Sequence, residues 1–201
     1  NNLNQANRQE LFDLLQDNYS STLEKHQKSI DGERVIFGSY FPKMPQMIAD
    51  EPESFGYIEL PLNHSIEDEQ AYHTESLLRF RELSDLEYHE AKDQIQQWEK
   101  EIEVNSNQYP LNRVMLPAIS SSILKSHETQ TRTQMAMIQL KIQDYKEING
   151  HRPKSLQDLN LPTHLIQDTF TGGSLIYEQV DDRTKISSQG KVRDKEIFLE
   201  F

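Results

Sequence analysis

The sequence predicts an α+β fold of mostly long α-helices with a small antiparallel β-sheet at the C-terminal end. Apolar residues recur at helical spacing over three long stretches, and the C-terminal residues then change to short β-type runs separated by turn residues. The 201-residue chain is long enough to bury a core, and Leu, Ile, Val and Phe make up about a quarter of it. We expect a helical region over 1–112 and a long helix plus the sheet over 113–201, together one cooperative unit.

The first predicted helix covers residues 5–30, where apolar side chains recur at helical spacing up to Ile30. Asp31 and Gly32 are predicted to end it. Residues 31–66 contain four prolines, three glycines and five aromatic residues. Because prolines at this density oppose a continuous helix, we expect a long irregular loop, and its aromatic side chains indicate that it packs onto the body of the protein.

Two more helices are predicted further along the chain. Ser65 can cap a helix that runs to Val104, and whether that helix breaks on the way stays open. The next helix covers 113–148 and ends at Gly150. After a short helix opened by Ser155, the strands are predicted at 174–180, 184–188 and 196–201.

The net charge of −12 lies in one segment of the chain. Residues 50–103 hold 16 acidic and 4 basic side chains, so the remainder is neutral overall. This balance argues against nucleic acid or an anionic membrane surface as the main partner. The acidic segment is either a solubilising surface or a surface for a basic partner or loosely held cations. The sequence has no cysteine, which excludes disulfides and Cys-ligated metals.

Glu69 and His73, four positions apart on the predicted middle helix, are the best metal-ligating candidates. They lack the Glu-x-x-His spacing and second copy of a carboxylate-bridged site, and no His-Glu-x-x-His is present. We expect them to lie on a solvated helix face. A serine-nucleophile elbow and a phosphate-binding loop are also missing, so an enzyme is not expected.

The C-terminal residues carry a recognisable pattern. It comprises Tyr145, Asn149-Gly150, Pro153, Ser155-Leu156, Leu159, Asp168, Phe170-Thr171-Gly172, Leu175, Tyr177, Ser188 and Gly190. This pattern resembles the globular part of type II secretion pseudopilins. It resembles more closely the C-terminal module of uncharacterised bacterial membrane-anchored, extracytoplasmic proteins, with the strongest likeness over 132–201.

Seven residues of this pattern are expected to shape the fold. They are Gly150, Pro153, Asp168, Phe170, Gly172, Tyr177 and Gly190. Gly150 permits a left-handed helix stop, Pro153 fixes an extended exit, and Gly172 allows a tight turn before the sheet. Thr169 stands where the related pattern usually has Pro. Residues 191–194 replace the loop that is linked to calcium in many major pseudopilins, so no calcium or other cofactor is expected.

The resemblance implies a non-catalytic envelope protein outside the cytoplasm, tethered by an N-terminal segment before Asn1 and acting in assembly or partner binding. We expect a protein partner at the cell envelope, no nucleic acid, and membrane contact only through that anchor. The oligomeric state stays open. Two alternatives remain: a metal-binding protein or hydrolase that uses the acidic middle helix, and small-molecule or saccharide binding by the aromatic loop.

Overall fold

The computed structural model describes residues 3–55, 58, 60, 65–180, 183–192 and 194–201. It confirms the α+β prediction. The helices are α1 (Gln5–Tyr40), α2 (Met44–Asp50), α3 (Ile66–Leu83), α4 (Tyr88–Val104), α5 (Pro110–Asn149) and α6 (Thr163–Ile166). The strands are β1 (Ile176–Val180), β2 (Arg183–Val192) and β3 (Lys195–Glu200). Four short 3₁₀ helices connect these elements, at Phe41–Lys43, Pro52–Phe55, Asn105–Asn107 and Leu156–Leu159.

The chain divides into two compact units. Unit 1 consists of Asn1–Glu24, Glu87–His89 and Leu124–Phe201, and unit 2 consists of Lys25–Leu86 and Glu90–Ile123. The boundaries fall inside α1, just before and inside α4, and inside α5, and none lies at the expected division between 112 and 113. That the chain unfolds as one cooperative unit stays a prediction.

The prediction of an irregular loop over 31–66 is wrong for most of the described residues of this segment, which are helical. α1 passes through Asp31 and Gly32 and continues to Tyr40, and a 3₁₀ helix, α2 and another 3₁₀ helix follow it. Pro42 and Pro45 each lie in the first turn of a new helix. The missing N–H of proline costs little there, because first-turn N–H groups have no intrahelical acceptor. Residues 56–57, 59 and 61–64 of this segment lie outside the described residues.

Unit 2 packs two of the five aromatic residues that the sequence placed on the body of the protein, and the side chains of Phe55 and Tyr57 lie outside the described part of the structure. Phe41, Met44, Ile48 and Leu111 form one buried cluster, and Phe37 packs against it. The prediction that aromatic residues of this segment pack inward is therefore confirmed for the two phenylalanines. Tyr40 departs from it, since 45% of this residue is exposed.

The two later long helices differ from the predictions at their ends. The predicted middle helix is broken into α3 and α4, and the Ser65 hydroxyl accepts the N–H of Asp68 at 3.1 Å, as the predicted cap requires. α5 begins at Pro110, three residues earlier than expected, because proline suits the first helical position. It ends where predicted: Gly150 has φ +76° and donates its N–H to the carbonyl of Lys146 at 2.9 Å.

Unit 1 contains the predicted antiparallel sheet, in the order β1-β2-β3. The expected strands are confirmed, and β2 continues to Val192, past a register irregularity between Ser187 and Lys191. The core between α5 and the sheet contains Met135, Ile138, Ile142, Leu156, Phe170, Leu175, Ile186, Val192 and Ile197. Among the helices of the described residues, none combines the length and apolar character needed to cross a bilayer.

Candidate functional site

Two parts of the C-terminal pattern, 168–172 and 188–190, meet at a turn that begins at Asp168, which is fully buried. One carboxylate oxygen accepts the N–H of Phe170 at 3.0 Å and the hydroxyl of Ser188 at 2.8 Å. The other accepts the hydroxyl of Thr171 at 2.9 Å and the N–H of Gln189 at 2.7 Å. Asp168 therefore joins the turn that precedes β1 to the middle of β2.

The four donors fill the hydrogen-bonding capacity of the Asp168 carboxylate. An ionised carboxylate offers about four lone-pair positions, two on each oxygen. Backbone bonds close the same turn: Gly172 donates to the carbonyl of Asp168 at 2.8 Å, and Asp168 donates to the carbonyl of Gly173 at 2.7 Å. This carboxylate holds the fold, as expected, because no lone pair is left for a ligand.

Two glycines of the pattern are required by close approaches at this turn. A Cβ on Gly172 would lie 2.7 Å from the ring of His89, and its φ of +72° also disfavours other residues. A Cβ on Gly190 would collide with the Cβ of Phe170. The segment Glu87–His89 therefore packs directly on the turn, where His89 also donates its N–H to the carbonyl of Thr169 at 3.2 Å.

Pro153 and Tyr177 form a second link in unit 1. The Tyr177 hydroxyl donates to the Pro153 carbonyl at 3.1 Å, and the Gln179 amide donates to the same oxygen at 2.6 Å. Burial is the main cause that raises the pKa of Tyr177, and the charge of Asp158 adds to it. The carbonyl of Pro153 thus fixes the side chains of Tyr177 and Gln179, which lie on the same face of β1. With this link, each of the seven residues of the predicted motif has a structural role.

Glu69 and His73 are buried in unit 2, so the expectation of a solvated helix face is wrong for both. The Glu69 carboxylate accepts the N–H of Leu111 at 2.9 Å and the N–H of Asn112 at 3.3 Å. These are two of the first N–H groups of α5, which have no acceptor within their own helix. Glu69 therefore caps α5 from another helix, where the positive end of the helix dipole favours a negative charge.

Asn112 joins the two predicted candidates. Its side-chain amide donates to the backbone carbonyl of Glu69 at 2.9 Å and to the Glu69 carboxylate. Its oxygen therefore accepts the Nδ1 proton of His73, at 2.7 Å. Asn112 thus connects Glu69 and His73 through hydrogen bonds.

The other ring nitrogen of His73 lies in apolar surroundings. Nε2 is buried and has no hydrogen-bond partner among the described residues, and the rings of Phe37 and Phe41 lie 5.3 Å and 5.1 Å from the imidazole. Burial lowers the pKa of His73, and the bond to Asn112 opposes that shift only in part. The side chain is accordingly a neutral core histidine at pH 7.

A buried ion-pair cluster in unit 1 was missed by the sequence reasoning. Arg8 is only 2% exposed and donates to Asp144 at 2.7 Å and to Glu147. The two carboxylates raise the pKa of Arg8, with Glu147 contributing more than Asp144. The spacing of the two acids on one face of α5 was visible in the sequence, but nothing in it pointed to an arginine far away along the chain.

The acidic segment otherwise lies on the surface of the protein. Apart from Glu69 and the half-buried Glu101, its described carboxylates belong to exposed residues. Arg79 pairs with Glu101 at 2.6 Å. Within the ranges that the structure describes, no three His, Asp or Glu side chains lie close enough together to hold a metal ion.

Two surface grooves lie in unit 1. The larger, about 780 Å³, is lined by the first turns of α1, the last turns of α5 and the Leu156–Leu159 helix. The smaller, about 360 Å³, lies beside the Arg8 cluster and Phe201. Both are open and of mixed polarity, which is not the enclosed apolar pocket typical of small-molecule sites.

The comparisons with known proteins add no relative to these observations. The likeness of residues 132–201 to a pseudopilin-like module stays a prediction from the sequence pattern. No protein-family model matches this chain, and no curated protein or solved structure is significantly similar to it.

Proposed function

We propose that this chain belongs to a non-catalytic envelope protein, held outside the cytoplasm by an N-terminal anchor, whose C-terminal unit acts in assembly or partner binding. The C-terminal unit is the Leu124–Phe201 part of unit 1. The observation that carries the proposal is the convergence of two parts of the pseudopilin-like pattern, 168–172 and 188–190, on the Asp168 turn. Asp168, Ser188 and Gly190 are separated in sequence, yet each is needed at this one place. This supports reading the pattern as a folded module of the type that it resembles.

The occupied carboxylates support the non-catalytic part of the proposal. A general acid, a general base or a metal-ligating carboxylate needs a lone pair that a substrate or an ion can reach. The oxygens of Asp168 and Glu69 are instead occupied by protein donors, four of which are backbone N–H groups. If a carboxylate oxygen of Asp168 or Glu69 bound a substrate or an ion instead, its buried protein donors would be left unpaired. Each unpaired donor would cost about 1–3 kcal/mol.

The surface of the sheet supports the partner-binding part. Ile176, Val180 and Phe198 lie on the same face of the sheet, as the strand register requires, and are 39%, 62% and 44% exposed. The charged residues Glu178, Lys185 and Glu200 lie on the same face, so the face combines exposed apolar and charged side chains, as protein interaction surfaces do. The proposal therefore places the binding surface on the C-terminal unit.

The envelope location is tested with the full-length product of the native gene. We expect it in the membrane fraction, released by detergent but not by high salt, and digested when protease is added to cells with a permeabilised outer layer. A matched sample expressed from Asn1 onward, without any upstream segment, serves as the control for retention. A full-length product in the cytoplasmic fraction, protected from that protease, would contradict the proposal.

A further inference from the structure

β1 is an edge strand with one side open. It pairs with β2 on one side only, since the sheet order is β1-β2-β3. An edge strand directs alternate N–H and C=O groups away from its neighbour. Within the described ranges, no backbone hydrogen bond from another segment reaches Ile176–Val180. The edge is thus free to accept another strand.

β1 lacks the features by which proteins usually protect an edge. Lysine, proline and clustered charges discourage a neighbouring strand. β3, the opposite edge, carries Lys195, Glu196 and Glu200 among its six residues, whereas β1 carries Glu178 as its one charge in five. The two edges of the sheet therefore differ, and β1 is the receptive one.

β1 is also held firmly in place. The hydroxyl of Tyr177 and the amide of Gln179 both bond the carbonyl of Pro153, from the face of the strand that points into the unit. A strand fixed in this way loses little conformational freedom when another strand pairs with it. The outward side chains Ile176, Glu178 and Val180 remain available.

The outward side chains define which partner fits. Glu178 lies opposite Lys185, and Lys185 lies opposite Glu200, so charges alternate in sign across the sheet. Lys185 forms its ion pair with Glu196, at 3.6 Å, and Glu178 has no ion pair among the described residues. A fourth strand beside β1 would continue the alternation with a basic residue opposite Glu178, flanked by apolar residues opposite Ile176 and Val180.

We propose that the open edge of β1 binds an extended segment of a partner protein that carries an apolar, a basic and an apolar residue at every second position, by adding a fourth antiparallel or parallel strand to the sheet. The proposal rests on the proposed function and names the kind of partner that the C-terminal unit takes. Main-chain hydrogen bonds supply the affinity and the alternate side chains supply the specificity. A second copy of this chain fits poorly, because full antiparallel overlap of two β1 strands places Glu178 opposite Glu178.

The probe is a capped peptide, Val-Thr-Lys-Thr-Val, compared with Val-Thr-Glu-Thr-Val, added to the ¹⁵N-labelled chain. We expect the lysine peptide to shift the amide resonances of Ile176–Val180 and to slow their hydrogen exchange, with β3 unaffected. Glu178→Lys should reverse the preference between the two peptides by about tenfold, since opposed charges attract and like charges repel across strands. Glu10→Lys makes the same charge change at an exposed site on α1 of unit 1 and should leave the preference unchanged.

Three results would overturn the proposal: peptide shifts that map to β3, equal binding of the two peptides, or concentration-dependent dimerisation through β1. These failures are separable from failure of the proposed function. A full-length protein found in the envelope whose β1 binds neither peptide overturns the edge proposal alone. A cytoplasmic full-length protein whose β1 binds the lysine peptide overturns the envelope role alone.

Discussion

Each unit of the protein contains a fully buried carboxylate that accepts backbone N–H groups, Asp168 in unit 1 and Glu69 in unit 2. Asp168 finds two of its donors within its own turn, at Phe170 and Thr171. The backbone donors of Glu69 lie 42 and 43 positions further along the chain. The same physical device thus closes a local turn in one unit and caps a distant helix in the other.

This difference decides what a sequence can reveal. A local device leaves a short motif, because its donors and acceptor must sit at fixed offsets. A carboxylate whose donors are distant in sequence has no such motif. In the sequence it looks like the neighbouring acidic residues of a solvated helix face. Asp168 is part of a short sequence motif and Glu69 is not. Substitutions at each residue measure whether the two carboxylates nevertheless contribute similarly to the free energy of unfolding.

The largest effect is expected for Asp168→Ala. This change leaves four donors without their acceptor, and each backbone N–H left unpaired is costly, so unit 1 should lose about 4 kcal/mol of unfolding free energy. Urea denaturation followed by hydrogen exchange in Leu124–Phe201 measures the loss. The control Asp158→Ala removes an exposed carboxylate that accepts the Ser155 N–H at 3.0 Å, and it should cost about 1 kcal/mol. Equal losses for the two variants would contradict the role of Asp168.

Glu69→Gln should cost about 2 kcal/mol, because the amide keeps one acceptor and places a donor against the N–H groups of α5. Faster hydrogen exchange at Leu111 and Asn112 is the expected local signature. The matched variant Glu75→Gln, at an exposed site on α3, the helix in which Glu69 is buried, should change the free energy of unfolding by less than about 0.5 kcal/mol. A neutral Glu69→Gln would show that burial of this carboxylate does not depend on its charge.

His73 should make the stability of unit 2 depend on pH. Because the folded-state pKa is lowered, the unfolded chain takes up the proton first as the pH falls below about 6.5. Stability is therefore complete above that pH and decreases below it, by up to about 1.4 kcal/mol per pH unit. His73→Leu should flatten the decrease measured by urea denaturation between pH 7 and 5. The exposed His151→Leu should retain it, and an unchanged slope in His73→Leu would contradict this role.

The smallest effect is expected for Gly32→Ala. Gly32 lies inside α1 with open space around its Cα, so alanine should stabilise unit 2 by about 0.5–1 kcal/mol. Thermal denaturation of the Gly32→Ala variant and of the unsubstituted protein measures this gain in stability. If Asp31 and Gly32 ended the helix, as the sequence indicated, the same change would be neutral or destabilising. Gly150→Ala, at a helix end with φ +76°, provides the destabilising reference.

The sequence predicted the features that depend on local signals. The fold class, the three strands, the Ser65 cap and the Gly150 stop were all predicted from short patterns. The same signals failed where a longer interaction overrides them. Gly32 does not end α1, since the helix continues toward Phe37, which packs on the core of unit 2.

The candidate site was predicted only in part for the same reason. The seven motif residues were identified because their pattern is compact in sequence, but the sequence indicated a specific role only for Gly150, Pro153 and Gly172. The roles of Glu69 and His73 depend on Asn112, which helical spacing on α3 does not reveal. Arg8 was missed altogether, since its two carboxylate partners lie at the other end of the chain.

Photocrosslinking in cells tests most directly whether the C-terminal unit binds a partner. A photoreactive residue in place of Val180, 62% exposed on β1, is compared with one in place of Val104, 79% exposed at the end of α4 in unit 2. In the full-length protein, we expect a discrete adduct of higher mass from position 180 and none from position 104. No adduct from either position, or the same adducts from both, would contradict partner binding by this unit.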